Sequence, residues 1–142
     1  MNKKILINST INEVRIAITE DNKLAEYFID LPDKEKLLGN IYLGKVNRIV
    51  QGLNAAFVDI GYGKDAFLHY TDLGPQIRSL TKFIDEGLSG SRKKHLLDNF
   101  ELEPDIVKTG KITDVLEKRD SLLVQVLKEP ISSKGPRLSC EV

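Results

Sequence analysis

Thiol chemistry is almost absent: Cys140 is the only cysteine, which excludes an internal disulfide and a cysteine-built zinc site. A reducing compartment fits, and the cytoplasm is the expected location. Net charge is missing too, since Lys plus Arg and Asp plus Glu each number 21. Without a global positive field, nucleic acid is not drawn in from a distance, so any such binding has to be local. The apolar run nearest the N-terminus, Ile5-Leu6-Ile7, is interrupted at Asn8, too soon for a signal peptide or a membrane span. Paired carboxylates are lacking as well. Asp59, Asp65 and Asp114 fall in turns and at strand edges, with no arrangement that would cage a divalent ion.

What is present is the composition of a folded soluble protein, with 41% hydrophobic and 30% charged residues, far from the composition that keeps chains disordered. At 142 residues the chain holds one ordinary domain, or one domain with a fragment of another. Residues 5–8, 13–19 and 23–29 read as short strands. The second alternates as Val14-Arg15-Ile16-Ala17-Ile18 and Asp21-Asn22 supplies a turn after it, so an antiparallel meander is expected. Residues 32–39 begin with proline and end with glycine, which marks a boundary.

From residue 41 to 50 the run IYLGKVNRIV is rich in β-branched residues, with Gly44 in its middle read as a bulge or sharp bend of the kind small barrels need. Residues 55–60 give a second strand, and a glycine-rich hairpin, Gly61-Tyr62-Gly63-Lys64-Asp65, leads to a third at 66–69. That hairpin lacks the strand-to-helix context of a phosphate loop. Ile77, Leu80 and Ile84 then recur at helical spacing after Pro75, with Gly87 as the expected stop. Residues 88–103, including Arg92-Lys93-Lys94, read as a mobile surface excursion. Strand composition returns at 121–127 and from 137 onward. The expected fold is therefore mainly β: a five-stranded barrel of the oligonucleotide-binding (OB) type with a helical and loop insertion, preceded by a short antiparallel meander. The chain stops at Val142 inside a β run, so it is expected to be a piece of a longer protein.

Successive side chains of a strand point to opposite faces. If Ala56, Val58 and Ile60 face the core, Phe57 and Asp59 face out; if Leu68 faces in, Phe67 and His69 face out, beside Phe57 across the hairpin. Two outward rings form a platform on which bases can stack, with Lys45 and Arg48 near enough to meet phosphates. The same rings could instead pack only on each other or beneath residues 71–110.

The order Gly44-Lys45-Val46, then Ala56-Phe57-Val58-Asp59-Ile60-Gly61, then Phe67-Leu68-His69 resembles the S1 RNA-binding domain. The longer matches Asn40-Ile41-Tyr42-Leu43-Gly44-Lys45-Val46 and Ala55 through Gly61 resemble the ribonuclease E/G family. So do Leu6-Ile7-Asn8, Asp114-Val115-Leu116, Leu123-Val124-Gln125-Val126 and Lys134-Gly135-Pro136-Arg137-Leu138. The resemblance covers nearly the whole chain outside residues 73–111.

The resemblance implies that residues 1–37 are the first strands of a ribonuclease-H-like subdomain. Residues 38–142 would form the S1 domain, with an insertion at about 71–111 and the following segment starting at about 135. It implies single-stranded RNA as partner, met by Phe57 and Phe67 and by Lys128 and Lys134 in the adjoining loop. Tyr42, Lys45 and His69 are added from their positions in the strands. For the longer protein it implies a magnesium-dependent endoribonuclease of RNA processing and decay, with a zinc link and homo-oligomeric assembly. No cofactor and no catalytic residue is expected in this chain, which should bind RNA without cutting it. The alternative is a translation-associated S1-type RNA-binding module, or a protein-interaction barrel whose aromatic face meets a protein.

Overall fold

The computed structural model describes residues 1–31, 36–92 and 97–142. The boundary read at 32–39 and the basic run Arg92-Lys93-Lys94 thus fall partly outside the described residues. The chain divides into two compact units, Met1–Lys36 and Leu37–Val142.

The first unit is the expected meander: β1 (Lys3–Ser9), β2 (Val14–Glu20) and β3 (Lys23–Asp30), antiparallel in that order. Asp21 and Asn22 make the β2–β3 turn with φ of +50° and +66°. A two-residue hairpin turn of this kind needs left-handed backbone at both positions, which Asp and Asn tolerate better than other side chains. The register sets Ile5 and Ile7 opposite Ile18 and Ile16, and Ile16 opposite Phe28, so these share one face.

The second unit is a closed five-stranded barrel of the OB type. Its strands are β4 (Ile41–Val50), β5 (Ala55–Asp59), β6 (Ala66–His69), β7 (Ser121–Lys128) and β8 (Arg137–Ser139). Their order around the barrel is β4-β5-β6-β8-β7, closed by β7 on β4. Every pairing is antiparallel except β6 with β8, which is parallel. Alternate positions fill the interior: Val46 from β4, Ala56 and Val58 from β5, Leu68 from β6, Leu122, Val124 and Val126 from β7, and Leu138 from β8 are all buried. Each aliphatic side chain removed from water contributes about 1.5–3 kcal/mol, and this two-residue period fixes which residues remain outside.

Gly44 is not the bulge. The register of β4 on β5 shifts between Val46 and Arg48, at Asn47. Gly44 is there for space: a Cβ on it would lie 2.6 Å from Val58 Cγ1 inside the barrel. The helix α1 spans Ile77–Leu88, one residue past the expected stop. Gly87 remains helical, and the glycine that ends the helix is Gly90, at φ +74°, the left-handed conformation favoured just beyond a helix C-terminus.

Residues 97–111 carry no helix or strand; of the excursion read at 88–103, the described part at residues 97–103 is tied to α1. Ser79 is buried in α1, its Oγ accepting the Glu103 N–H at 2.9 Å. Lys82 donates to the Glu101 carbonyl and to the Glu103 carboxylate, each at 2.9 Å. That hydrogen bond to Glu103 is the main cause raising the Lys82 pKa above its ordinary value. Phe83 meets Phe100 edge to face at 5.6 Å, and the Arg92 guanidinium lies 5.5 and 5.0 Å from the two rings. The polar composition that suggested a mobile loop is instead spent on ties to the helix. No helix among the described residues is long and apolar enough to cross a membrane.

Candidate nucleic-acid interface

Phe57 and Phe67 are directly opposite each other in the β5–β6 ladder. Their inward neighbours Ala56, Val58 and Leu68 are fully buried, whereas both rings are only half-buried. The ring centroids are 5.8 Å apart at 68°, an edge-to-face pair, an arrangement worth about 0.5–1.5 kcal/mol beyond burial. His69 extends the row, with its ring 6.4 Å from that of Phe67. Thr71 N–H donates to His69 Nδ1 at 3.2 Å, which requires Nδ1 to be an acceptor and leaves the ring proton on Nε2. On the other flank, the bulge at Asn47 turns Arg48 outward opposite Phe57, and its guanidinium carbon sits 4.7 Å from the ring centroid.

The four basic residues named from the sequence are not equivalent. Lys128 is exposed at the end of β7, in register with Arg137 of β8. Lys134 is exposed in the loop between β7 and β8, its N–H donating to the Ile131 carbonyl at 3.0 Å. That loop is clamped to the hairpin. Lys64 Nζ donates to the Ser132 carbonyl at 2.9 Å, and Phe67 N–H donates to the Pro136 carbonyl at 2.8 Å. Gly135 permits the clamp, because a Cβ there would come within 2.0 Å of the Asp65 carbonyl oxygen. Lys45 is exposed on β4 opposite Asp59, whose carboxylate accepts the Gly61 N–H at 2.8 Å and so shapes the hairpin. Lys45 shares the outer side with the aromatic pair but stands next to a negative charge.

Tyr42 does not join this group. It is on the inward parity with Gly44 and Val46, packs against the core, and accepts from Asn40 Nδ2 at 3.0 Å. The residue the sequence reading missed is Arg137. It is the parallel partner of Phe67, and its Nε and Nη2 donate to Asp72 Oδ2 at 3.0 and 2.9 Å. The Lys134-Gly135-Pro136-Arg137-Leu138 motif contained it, but only the β6–β8 pairing reveals its neighbour.

Among the described residues no group of three or more His, Cys, Asp or Glu side chains is arranged to hold a metal ion. Cys140 is buried, and burial, with the Asp72 carboxylate near it, pushes its thiol up to about 12. What the surface offers is two half-buried aromatic rings, Phe57 with the Arg48 guanidinium over it, beside further cations, a geometry that suits stacking of flat, negatively charged polymers.

No protein-family model matches the chain. It is 37% identical to ribonuclease G of Haemophilus influenzae over 139 residues, 98% of this chain and 24% of that protein. It is 32% identical to ribonuclease G of Escherichia coli K12 over 142 residues, all of this chain and 25% of that protein. A ribonuclease E/G-like protein of Porphyra purpurea is 35% identical over 106 residues, 74% of this chain and 16% of that protein. The chain thus spans about a quarter of the length of the ribonuclease G proteins it matches.

Proposed function

The chain belongs to the ribonuclease E/G family, and we propose that its barrel is an S1 RNA-binding domain that captures single-stranded RNA on the Phe57–Phe67 face. The observation that carries this reading is the outward edge-to-face pair at 5.8 Å, with Lys128 exposed at the end of β7 and Lys134 on the loop that the Phe67 backbone holds. Rings accept any base, so the capture is tolerant of sequence, and the cations hold the backbone beside them. The chain's net neutrality fits a role that positions RNA after contact rather than attracting it from afar.

In this reading the longer protein is a magnesium-dependent endoribonuclease of RNA processing and decay, homo-oligomeric through a zinc link and located in the cytoplasm. Cleavage belongs to parts of it outside this chain. Residues 1–37 contribute the first strands of a ribonuclease-H-like subdomain. The S1 barrel supplies substrate capture, holding the strand so that the distant catalytic groups meet it at a fixed offset.

The test is a titration of the chain with labelled single-stranded RNA, repeated with Phe57→Ala and Phe67→Ala. Each stacked base is worth about 1–3 kcal/mol, so each variant should weaken binding roughly five- to 150-fold. If both variants bind like the native chain, the platform reading is wrong; the alternative in which this face meets a protein then becomes the one to pursue.

A further inference from the structure

Two arginines flank the aromatic pair, and the structure treats them differently. Reading across the strands, Arg48 of β4 is in register with Phe57 of β5, Phe57 with Phe67 of β6, and Phe67 with Arg137 of β8. Neighbouring strands are spaced by about 4.8 Å, so the row is short enough for a single strand to cross it within a few nucleotides. Arg137 is committed: two of its nitrogens hold Asp72, and Asp72 in turn accepts the Cys140 N–H at its backbone carbonyl, at 2.8 Å. That network ties β8 to the turn after β6, and its guanidinium charge is already matched.

Arg48 has no such partner. It is exposed, and among the described residues no carboxylate lies within ion-pair distance of it. Its guanidinium rests on the Phe57 ring at 4.7 Å, which restrains a long side chain in one place without neutralising it. An arginine held this way keeps its donor edge available, and a planar donor fork matches a phosphate.

Resting on the reading that bases stack on Phe57 and Phe67, we infer that Arg48 is the phosphate-holding end of this row and a positioning residue for the strand. Its guanidinium, pre-set by Phe57, takes a phosphate next to the stacked bases, while Arg137 at the other end serves barrel closure. The bound strand therefore runs across the barrel strands and is anchored at the β4 side.

The probe is a fluorescein-labelled oligouridylate of about twelve nucleotides, within the site size of one such barrel, titrated at several salt concentrations. Arg48→Ala is expected to weaken binding and to reduce the magnitude of the slope of log K against log salt by about 0.7, the value for one phosphate contact on a single strand. Arg48→Lys keeps the charge but not the planar stack, and is expected to retain the slope with affinity between those of the native chain and Arg48→Ala. Arg78→Ala, which removes a cation from α1, is the control and should leave the slope as it is. An unchanged slope in Arg48→Ala, or an equal loss in Arg78→Ala, overturns the assignment. Phe57→Ala and Phe67→Ala are measured alongside. If they weaken binding while Arg48→Ala keeps its slope, the Arg48 inference alone fails. If neither weakens binding, the stacking reading fails and takes the inference with it.

Discussion

Gly135→Ala puts the link between barrel closure and the proposed RNA-binding face to a quantitative test. A methyl group on Gly135 would lie 2.0 Å from the Asp65 carbonyl oxygen and 2.9 Å from its carbon. Both are backbone atoms, so no side chain can swing away, and the loop has to retreat from the hairpin by about 1 Å or more to reach a tolerable contact. That movement opens the 2.8 Å hydrogen bond from Phe67 N–H to the Pro136 carbonyl. Overpacking of this kind costs about 1–3 kcal/mol, and the lost hydrogen bond adds about 0.5–1.5, for an expected loss of about 1.5–4.5 kcal/mol. Gly63→Ala is the internal control, since a Cβ at Gly63 meets nothing within 4 Å. It should be neutral, or stabilising by about 0.4–1 kcal/mol through the unfolded chain. Urea denaturation followed by circular dichroism separates them: Gly135→Ala should lower the midpoint by about 0.5 M or more, given slopes of about 1–3 kcal/mol per M. The displaced loop also carries Lys134, so RNA affinity should drop in the protein that remains folded. Equal midpoints for the two alanine variants would refute the argument that Gly135 is required by the clamp.

Three other outcomes follow from the structure. Loss of either platform ring, by Phe57→Ala or Phe67→Ala, is expected to cost about 0.5–1.5 kcal/mol of folding stability from the ring pair on top of the burial that each half-buried side chain loses; a thermal melt of each variant checks this beside the RNA titration. Asn54 has φ +48°, and its side chain accepts the Ile112 N–H at 2.8 Å and donates to the Gly110 carbonyl at 3.1 Å. Asn54→Ala should therefore cost about 2–4 kcal/mol and Asn54→Gly about 1 kcal/mol less, an order that urea midpoints would reverse if the left-handed backbone were irrelevant. Because burial first, and Asp72 second, raise the folded thiol of Cys140 from 9.0 to about 12, the unfolded chain deprotonates before the folded one. Stability from this group is present below pH 9.0 and lost as pH rises toward 12, at up to about 1.4 kcal/mol per pH unit; Cys140→Ala should lack that component of the alkaline decline.

The parity of two strands was the most readable part of the site. In β5 and β6 the small and aliphatic residues Ala56, Val58 and Leu68 could only face a core, which left Phe57, Phe67 and His69 outside, as the structure has them. Parity misled where the strand was not regular. Gly44 suggested the irregularity of β4, but a glycine in a strand can mark either a bulge or a close approach, and only the 2.6 Å distance to Val58 distinguishes them. The true bulge at Asn47 carries no compositional mark, yet it decides that Lys45 and Arg48 both point outward. Tyr42 shows that an aromatic residue in a barrel strand is not by itself part of the platform, since it shares the inward parity of Gly44 and Val46 and packs against the core. The ties of residues 97–103 to α1 were unreadable because their donors and acceptors, Ser79, Lys82 and Glu103, are residues that solvated loops also favour. Nothing local encodes the parallel β6–β8 pairing, which joins residues far apart in the chain, and so Arg137 stayed invisible as a neighbour of Phe67.

That pairing makes Phe67 serve two ends with separate parts of one residue. Its N–H closes the barrel on the Pro136 carbonyl, while its ring stands outward against Phe57. The backbone duty can be met by any residue except proline, so nothing about closure demands an aromatic side chain at this position. Packing does not demand one either, because the interior side of β6 is already filled by Leu68, which is fully buried. A half-exposed phenylalanine that neither closure nor core requires, set opposite a second one, leaves aromatic surface free for a flat ligand to cover. The neighbouring cations restrict that ligand to one with negative charge. A nucleic-acid strand supplies both properties along its whole length, and the short β8 seam beside Phe67 means the strand would lie over the point where the barrel is held by a single register pair. On the proposed reading, capture and closure would be coupled through the backbone of Phe67, and a bound strand that spans the rings and the Lys134 loop would reinforce the seam it lies across.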